Sequence, residues 1–165
     1  MNNTKKAELS HKLIRYGVIL FLLGLLTGFA IPAMQNPRMG LSSHLEGVQN
    51  GMLLILFGII WTRLDLSNRT LLWGYALALF GTYVNWGTTF LAGIWGAGAA
   101  MMPIAGGNFN GVVWQEAFIK IGLLSLSIAM VAVSGIILWG LRGKTSNSIG
   151  ENMKKLNFFR GEAVA

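Results

Sequence analysis

Cysteine is absent from the 165 residues, which excludes disulfides, thiolate zinc sites, iron–sulfur clusters and cysteine nucleophiles. Acids are scarce too. Six serve the whole chain, and none are grouped as a di-iron or paired-carboxylate centre requires. Two histidines, His11 and His44, are too few for a zinc site made of protein ligands alone. Charged residues make up 12% of the chain against 53% hydrophobic. Soluble domains carry about a quarter charged residues, so this chain lacks the polar surface of a water-soluble globule. No P-loop, Rossmann glycine fingerprint, catalytic triad or internal repeat stands in it. The 22 glycines follow no collagen period and fit close helix packing in lipid. What remains is an all-α integral membrane protein, one domain over residues 1–165.

Uncharged windows measure the spans. Residues 16–37 and 121–141 contain no Asp, Glu, Lys, Arg or His, and each is long enough for a hydrocarbon core of ~30 Å. Between Arg69 and Glu116 lie 46 uncharged residues, too many for one helix and broken by the glycine-, asparagine- and proline-bearing stretch from Trp95 to Gly111. The window from Gly47 to Thr62 covers only about 24 Å at ~1.5 Å per residue. To cross, the second helix must start earlier and carry His44 and Glu46 into or against the bilayer. The expectation is a four-helix bundle with helices at about 13–34, 43–63, 70–93 and 117–141, a loop over 94–116, and a basic tail over 142–165.

Charge sets the orientation. Eleven of the 13 Lys and Arg residues fall on one side of this arrangement, with only Arg38 and Lys120 on the other. Short basic loops stay cytoplasmic, so both termini are expected inside, with the net +7 facing anionic headgroups rather than nucleic acid. The first apolar run is too long for a cleavable signal peptide, and Ile31-Pro32-Ala33 is a poor cleavage site. The tail segment Lys154-Lys155-Leu156-Asn157-Phe158-Phe159-Arg160 has two readings, a strip lying on the inner membrane surface and a solvated end.

Polar groups within spans face the bundle interior or a cavity and are functional candidates. His44, Gly47, Gly51 and Gly58 fall near one helical stripe, where a flat ligand or another backbone can approach closely. Asn50 lies roughly 9 Å further along the axis, off that stripe. Ser43 and Glu46 stand at capping-box spacing, so Glu46 is read either as a helix cap or as a site acid. His44 is read either as a hydrogen-bonded anchor or as a metal ligand. If it is a ligand, the metal must arrive in a macrocycle that supplies the other donors, as haem does, with a methionine as an optional second axial ligand. Tyr83, Asn85, Thr88 and Thr89 form a second cluster, where helix-to-helix bonding competes with lining a polar cavity. Asn108, Asn110, Gln115 and Glu116 form a third, with Trp95 and Trp114 as interfacial belt residues.

The run from Leu22 to Trp61, with Asn36-Pro37-Arg38 and Ser43-His44-Leu45-Glu46-Gly47 as its most specific stretches, resembles the hydroxylaminobenzene mutases. These are small bacterial multi-pass proteins of the cytoplasmic membrane. The resemblance covers most of residues 13–141 and implies an isomerase that converts N-phenylhydroxylamine to 2-aminophenol. More distantly, His44, five intervening residues and Asn50-Gly51-Met52 are similar to the pattern of styrene oxide isomerase, as is Asn85-x-Gly87. That likeness implies haem b with His44 as axial iron ligand, Asn50 at the substrate, and a homotrimer. It also implies a tyrosine toward the substrate oxygen, for which Tyr83 and Thr89 are the candidates here.

The functional expectation is therefore a mutase for a small aromatic hydroxylamine. A ferric haem acts as Lewis acid on the N–O oxygen, with Asn50, Glu46, Asn85, Tyr83 and Thr89 around the substrate. His44, Arg38, Gly47 and Gly51 hold the cofactor. Arg38 is read either as a propionate partner or as a solvated cation. A haem-free version assigns Glu46 the general-acid role. A haem-binding electron-transfer subunit and a small transporter using His44 and Glu46 as a proton relay are the competing classes.

Overall fold

The computed structural model describes residues 3–143, and the expected tail site around Lys154 and Arg160 lies outside them. Among the described residues there is no strand. Four long helices account for most of them: α1 (Asn3–Ala30), α2 (Pro37–Trp61), α3 (Asn68–Trp95) and α5 (Val113–Gly140), with a single turn α4 (Pro103–Gly106) between the last two. By length and composition α1, α2 and α5 can cross a membrane. The 28-residue α3 is long enough but carries Thr82, Tyr83, Asn85, Thr88 and Thr89 along its length.

The helix starts differ from the expected ones for local reasons. α1 begins ten residues before residue 13, because the polar segment Asn3–Lys12 continues the helix beyond the apolar run. There Lys12 bonds Glu8 at 2.6 Å, while Lys6 Nζ donates to the Leu64 carbonyl at 2.6 Å and Ser10 Oγ to that of Gly58 at 2.7 Å. Pro32 ends α1: it has no N–H to continue the ladder, and Ile31–Ala33 tightens into a 3-10 turn.

α2 starts at Pro37, not at residue 43. Asn36 is its N-cap, accepting from the N–H groups of Arg38 and Met39, and Pro37 occupies the first helical position. Both are strong start signals. The Ser43–Glu46 capping box is thereby overturned, since both residues lie within the helix. The short uncharged window from Gly47 to Thr62 sits in a 25-residue helix that includes His44 and Glu46, as the length argument requires.

α1 packs along α2, α2 along α3, and α3 along α5. The α1–α2 seam is glycine on both sides. A Cβ on Gly47 would stand 2.5 Å from Gly24 Cα, and one on Gly51 2.5 Å from the Phe21 nitrogen. Only bare backbones reach that separation. Leu13, Leu20, Leu54, Trp61, Leu71, Ala78 and Val133 form the main buried cluster.

The connection expected over 94–116 is shorter, residues 96–112, because α5 starts at Val113 rather than at 117, and it is tied down from both sides. Buried Asn36 donates from Nδ2 to the carbonyls of Ala105 at 3.0 Å and Gly106 at 3.1 Å, while its backbone N–H bonds Gly93 at 2.9 Å. Glu116 Oε1 accepts from the backbone of Gly98 at 2.8 Å and Gly111 at 3.1 Å.

Candidate functional site

The polar residues of α2 divide between its two flanks. Consecutive residues on an α-helix turn by about 100°, so His44 and Glu46 point in nearly opposite directions, as their partners confirm.

On the α1 side, the His44 ring lies in a slot left by Gly28, whose Cβ would stand 3.1 Å from Nδ1. His44 Nδ1 lies 2.8 Å from the Gly24 carbonyl oxygen. A carbonyl only accepts, so Nδ1 carries the proton and Nε2 keeps its lone pair. Nε2 has no protein partner among the described residues. A hydrogen bond from one ring nitrogen to a backbone carbonyl is what fixes the tautomer of a ligating histidine. The donor set therefore suits one axial bond to a metal in a macrocycle. Among the described residues no group of three His, Cys, Asp or Glu could hold a metal ion.

On the α3 side, three polar side chains converge. Glu46 Oε2 accepts from Asn50 Nδ2 at 3.0 Å and from Asn85 Nδ2 at 2.5 Å. Asn50 is one helical turn beyond Glu46, and Asn85 reaches across from α3. Glu46, Asn50 and Asn85, expected around one substrate, are joined here through the single Glu46 oxygen that accepts from both amides. Burial strengthens such bonds because water competes poorly there; Asn50 is buried and Glu46 and Asn85 are half-buried.

The other expected residues sit elsewhere. Gly47 and Gly51 face α1 at backbone contact, so they close a helix seam and leave no room for a cofactor. Of the two readings of the glycine stripe, the neighbouring backbone is the correct one. Tyr83 turns toward α1, where its hydroxyl donates to the Tyr16 carbonyl at 2.9 Å. The two rings join Ile19, Leu79 and Phe80 along an apolar groove of about 480 Å³. Thr89 is buried, and its hydroxyl bonds back to the Asn85 and Trp86 carbonyls at 2.9 and 3.0 Å, an ordinary α-helical arrangement that commits its only proton. Arg38 is exposed in the first turn of α2 and lines a cavity of about 290 Å³ with Gly106, Gly107, Asn108 and Phe109.

Trp86, and Ser43, which was expected as a helix cap, hold this geometry. Trp86 fills the wedge between α1, α2 and α3, its Nε1 donating to Thr27 Oγ1 at 3.0 Å and its Cδ1 lying against Gly47. Ser43 donates to the Trp86 carbonyl at 3.1 Å, locking the α2–α3 register beside the Glu46 cluster. Thr27 and Trp86 are far apart in sequence, with no local signal linking them. The Ser43 hydroxyl, six residues inside α2, is a polar group in an apolar helix and carried the only available hint. Trp95 packs edge-on to Trp114 at 5.1 Å and to Phe118 at 5.9 Å, joining the ends of α3 and α5.

Known proteins resemble this chain over most of its length. The family described as styrene oxide isomerase matches residues 9–142. The chain is 52% identical to hydroxylaminobenzene mutase HabB of Ectopseudomonas oleovorans over 136 residues, which cover 82% of this chain and 83% of that protein. It is 44% identical to hydroxylaminobenzene mutase HabA of the same organism over 125 residues, 76% of this chain and 93% of that one. No solved structure is significantly similar.

Proposed function

The chain belongs to the styrene oxide isomerase family, and from that membership we propose that it is a membrane isomerase that rearranges N-phenylhydroxylamine to 2-aminophenol. The observation that carries the substrate assignment is the 52% identity with a hydroxylaminobenzene mutase across most of both chains. The matched residues include every side chain of the two polar flanks of α2, since both lie within residues 9–142.

The reaction needs no second reactant. The N–O bond breaks, a C–O bond forms at the ortho carbon, that carbon loses a proton and nitrogen gains one. In open solution water attacks the ring and favours the para product. Ortho transfer therefore demands a held oxygen and an excluded bulk solvent. The apolar helices exclude water; Asn50 and Asn85 supply the polar edge that orients the N–O group.

His44 would hold haem b through Nε2, with the Gly24 carbonyl fixing the ring and Arg38 as the cation for a propionate. Bound there, ferric haem supplies Lewis acidity toward an oxygen ligand. Because His44 faces α1 while Asn50 and Asn85 meet at Glu46 on the opposite flank, one copy does not aim both sets at one ligand. This supports a homo-oligomer, a trimer in our reading, in which neighbouring copies complete each site. We further assign four spans, with α3 as the polar one, and both termini on the cytoplasmic side of a bacterial inner membrane. The basic ends of α1 and α5 and the basic α2–α3 turn support that orientation.

The test is the purified protein in mild detergent beside His44→Ala. A Soret band and ortho-product formation in the wild type, both lost in the variant, support the reading. A colourless wild type that still forms 2-aminophenol removes haem from it. A coloured protein without mutase activity points to electron transfer.

A further inference from the structure

We propose that Glu46 sets the substrate preference of the site by locking the amides of Asn50 and Asn85 with their carbonyl oxygens free to accept hydrogen bonds from an arylhydroxylamine. The proposal rests on the mutase reading above and adds a positioning residue to it.

The argument is one of donors and acceptors. Asn50 and Asn85 both aim Nδ2 at the same Glu46 oxygen. Oε2 receives an N–H from each amide and is therefore an acceptor, so it dictates which end of each amide faces it. Flipping either amide would set its Oδ1 against Oε2, two acceptors with no proton between them. In a planar amide, turning Nδ2 toward Glu46 turns Oδ1 away. Neither Oδ1 has a protein partner among the described residues. Two helices thus hold two carbonyl acceptors, both oriented by one side chain between them.

Arylhydroxylamines carry two donors, N–H and O–H, on adjacent atoms. An epoxide such as styrene oxide carries none. A locked pair of acceptors matches the first and leaves the second facing carbonyls it cannot satisfy, the arrangement by which sites reject a substrate lacking a donor. Released from Glu46, the same amides can rotate and offer N–H instead. The lock therefore separates the substrate class named for the two mutases from the one named for the family as a whole.

The experiment uses the full chain in detergent as wild type, Glu46→Leu and Glu46→Gln. It measures KM and kcat for N-phenylhydroxylamine, the inhibition constant of styrene oxide, the visible spectrum and the melting temperature. Leu removes the lock; Gln keeps one acceptor oxygen and holds part of it, so it serves as the test if Leu does not fold. In Leu the KM for the hydroxylamine rises about tenfold, in line with the loss of one neutral hydrogen bond. Its kcat changes less, and styrene oxide binds more tightly. Gln falls between Leu and wild type. Variants in which both ligands weaken together, or in which the ratio of the two constants stays at the wild-type value, overturn the proposal. A wild type that forms no 2-aminophenol overturns the mutase reading and this proposal with it.

Discussion

Substituting Gly47 by Ala tests the α1–α2 seam that seats His44. The added Cβ would stand 2.5 Å from Gly24 Cα and 2.8 Å from Trp86 Cδ1. Ordinary contact begins at 3.4 Å, so α1 must retreat by about 0.9 Å at this point. The obstacle is backbone, which cannot rotate away as a side chain can. Retreat of α1 carries the Gly24 carbonyl with it and stretches the 2.8 Å bond from His44 Nδ1 beyond hydrogen-bonding reach. Overpacking costs about 1–3 kcal/mol and the lost bond roughly 1 kcal/mol more. The assay is thermal unfolding in detergent followed by size-exclusion chromatography, with the visible spectrum recorded at each step. Gly135→Ala on α5 is the control, because its Cβ meets nothing within 4 Å. Gly47→Ala should melt well below wild type and lose any haem band, while Gly135→Ala matches or exceeds wild type. Equal melting of the two variants would refute the close-contact reasoning.

Three further outcomes follow from buried hydrogen bonds. Asn36→Ala removes the cap of α2 and both ties to the Ala105 and Gly106 carbonyls. A cap alone is worth about 1 kcal/mol, and early proteolysis within residues 97–112 with a lowered melting temperature is the expected result. Thr27→Val strands the Trp86 indole N–H at about 1–3 kcal/mol, whereas Thr27→Ser keeps the acceptor and should restore stability in the same melt. Ser43→Ala loses only its bond to the Trp86 carbonyl; unchanged helix content by circular dichroism is expected, and a loss of helix would revive the capping-box reading.

Much of this site was legible in the sequence because lipid is a demanding solvent. The short window after Glu46 forced His44 and Glu46 into a span on length alone. The glycine spacing on α2 announced a close approach, although only packing could decide between a ligand and a backbone. The start of α2 was also available in Asn36-Pro37, whose cap-and-proline signal is stronger than Ser43 with Glu46. Other features depended on how helices rotate against each other. Glu46 and Asn85 are 39 positions apart, and neither side chain announces the other. Tyr83 and Thr89 have the chemistry expected of a site, yet the rotation of α3 gives their hydroxyls to the Tyr16 carbonyl and to their own helix. Of the polar residues that weaken α3 as an apolar span, Asn85 meets Glu46, Tyr83 turns to α1 and Thr88 lies against Gly122 of α5.

The most direct test of the central claim is oxygen tracing. N-phenylhydroxylamine is turned over by the purified protein in water enriched in oxygen-18, and the aminophenols are separated and weighed by mass spectrometry. Transfer within the substrate predicts 2-aminophenol alone, carrying the original light oxygen. Heavy oxygen in the product, or a mixture rich in 4-aminophenol matching the protein-free control, would contradict the account.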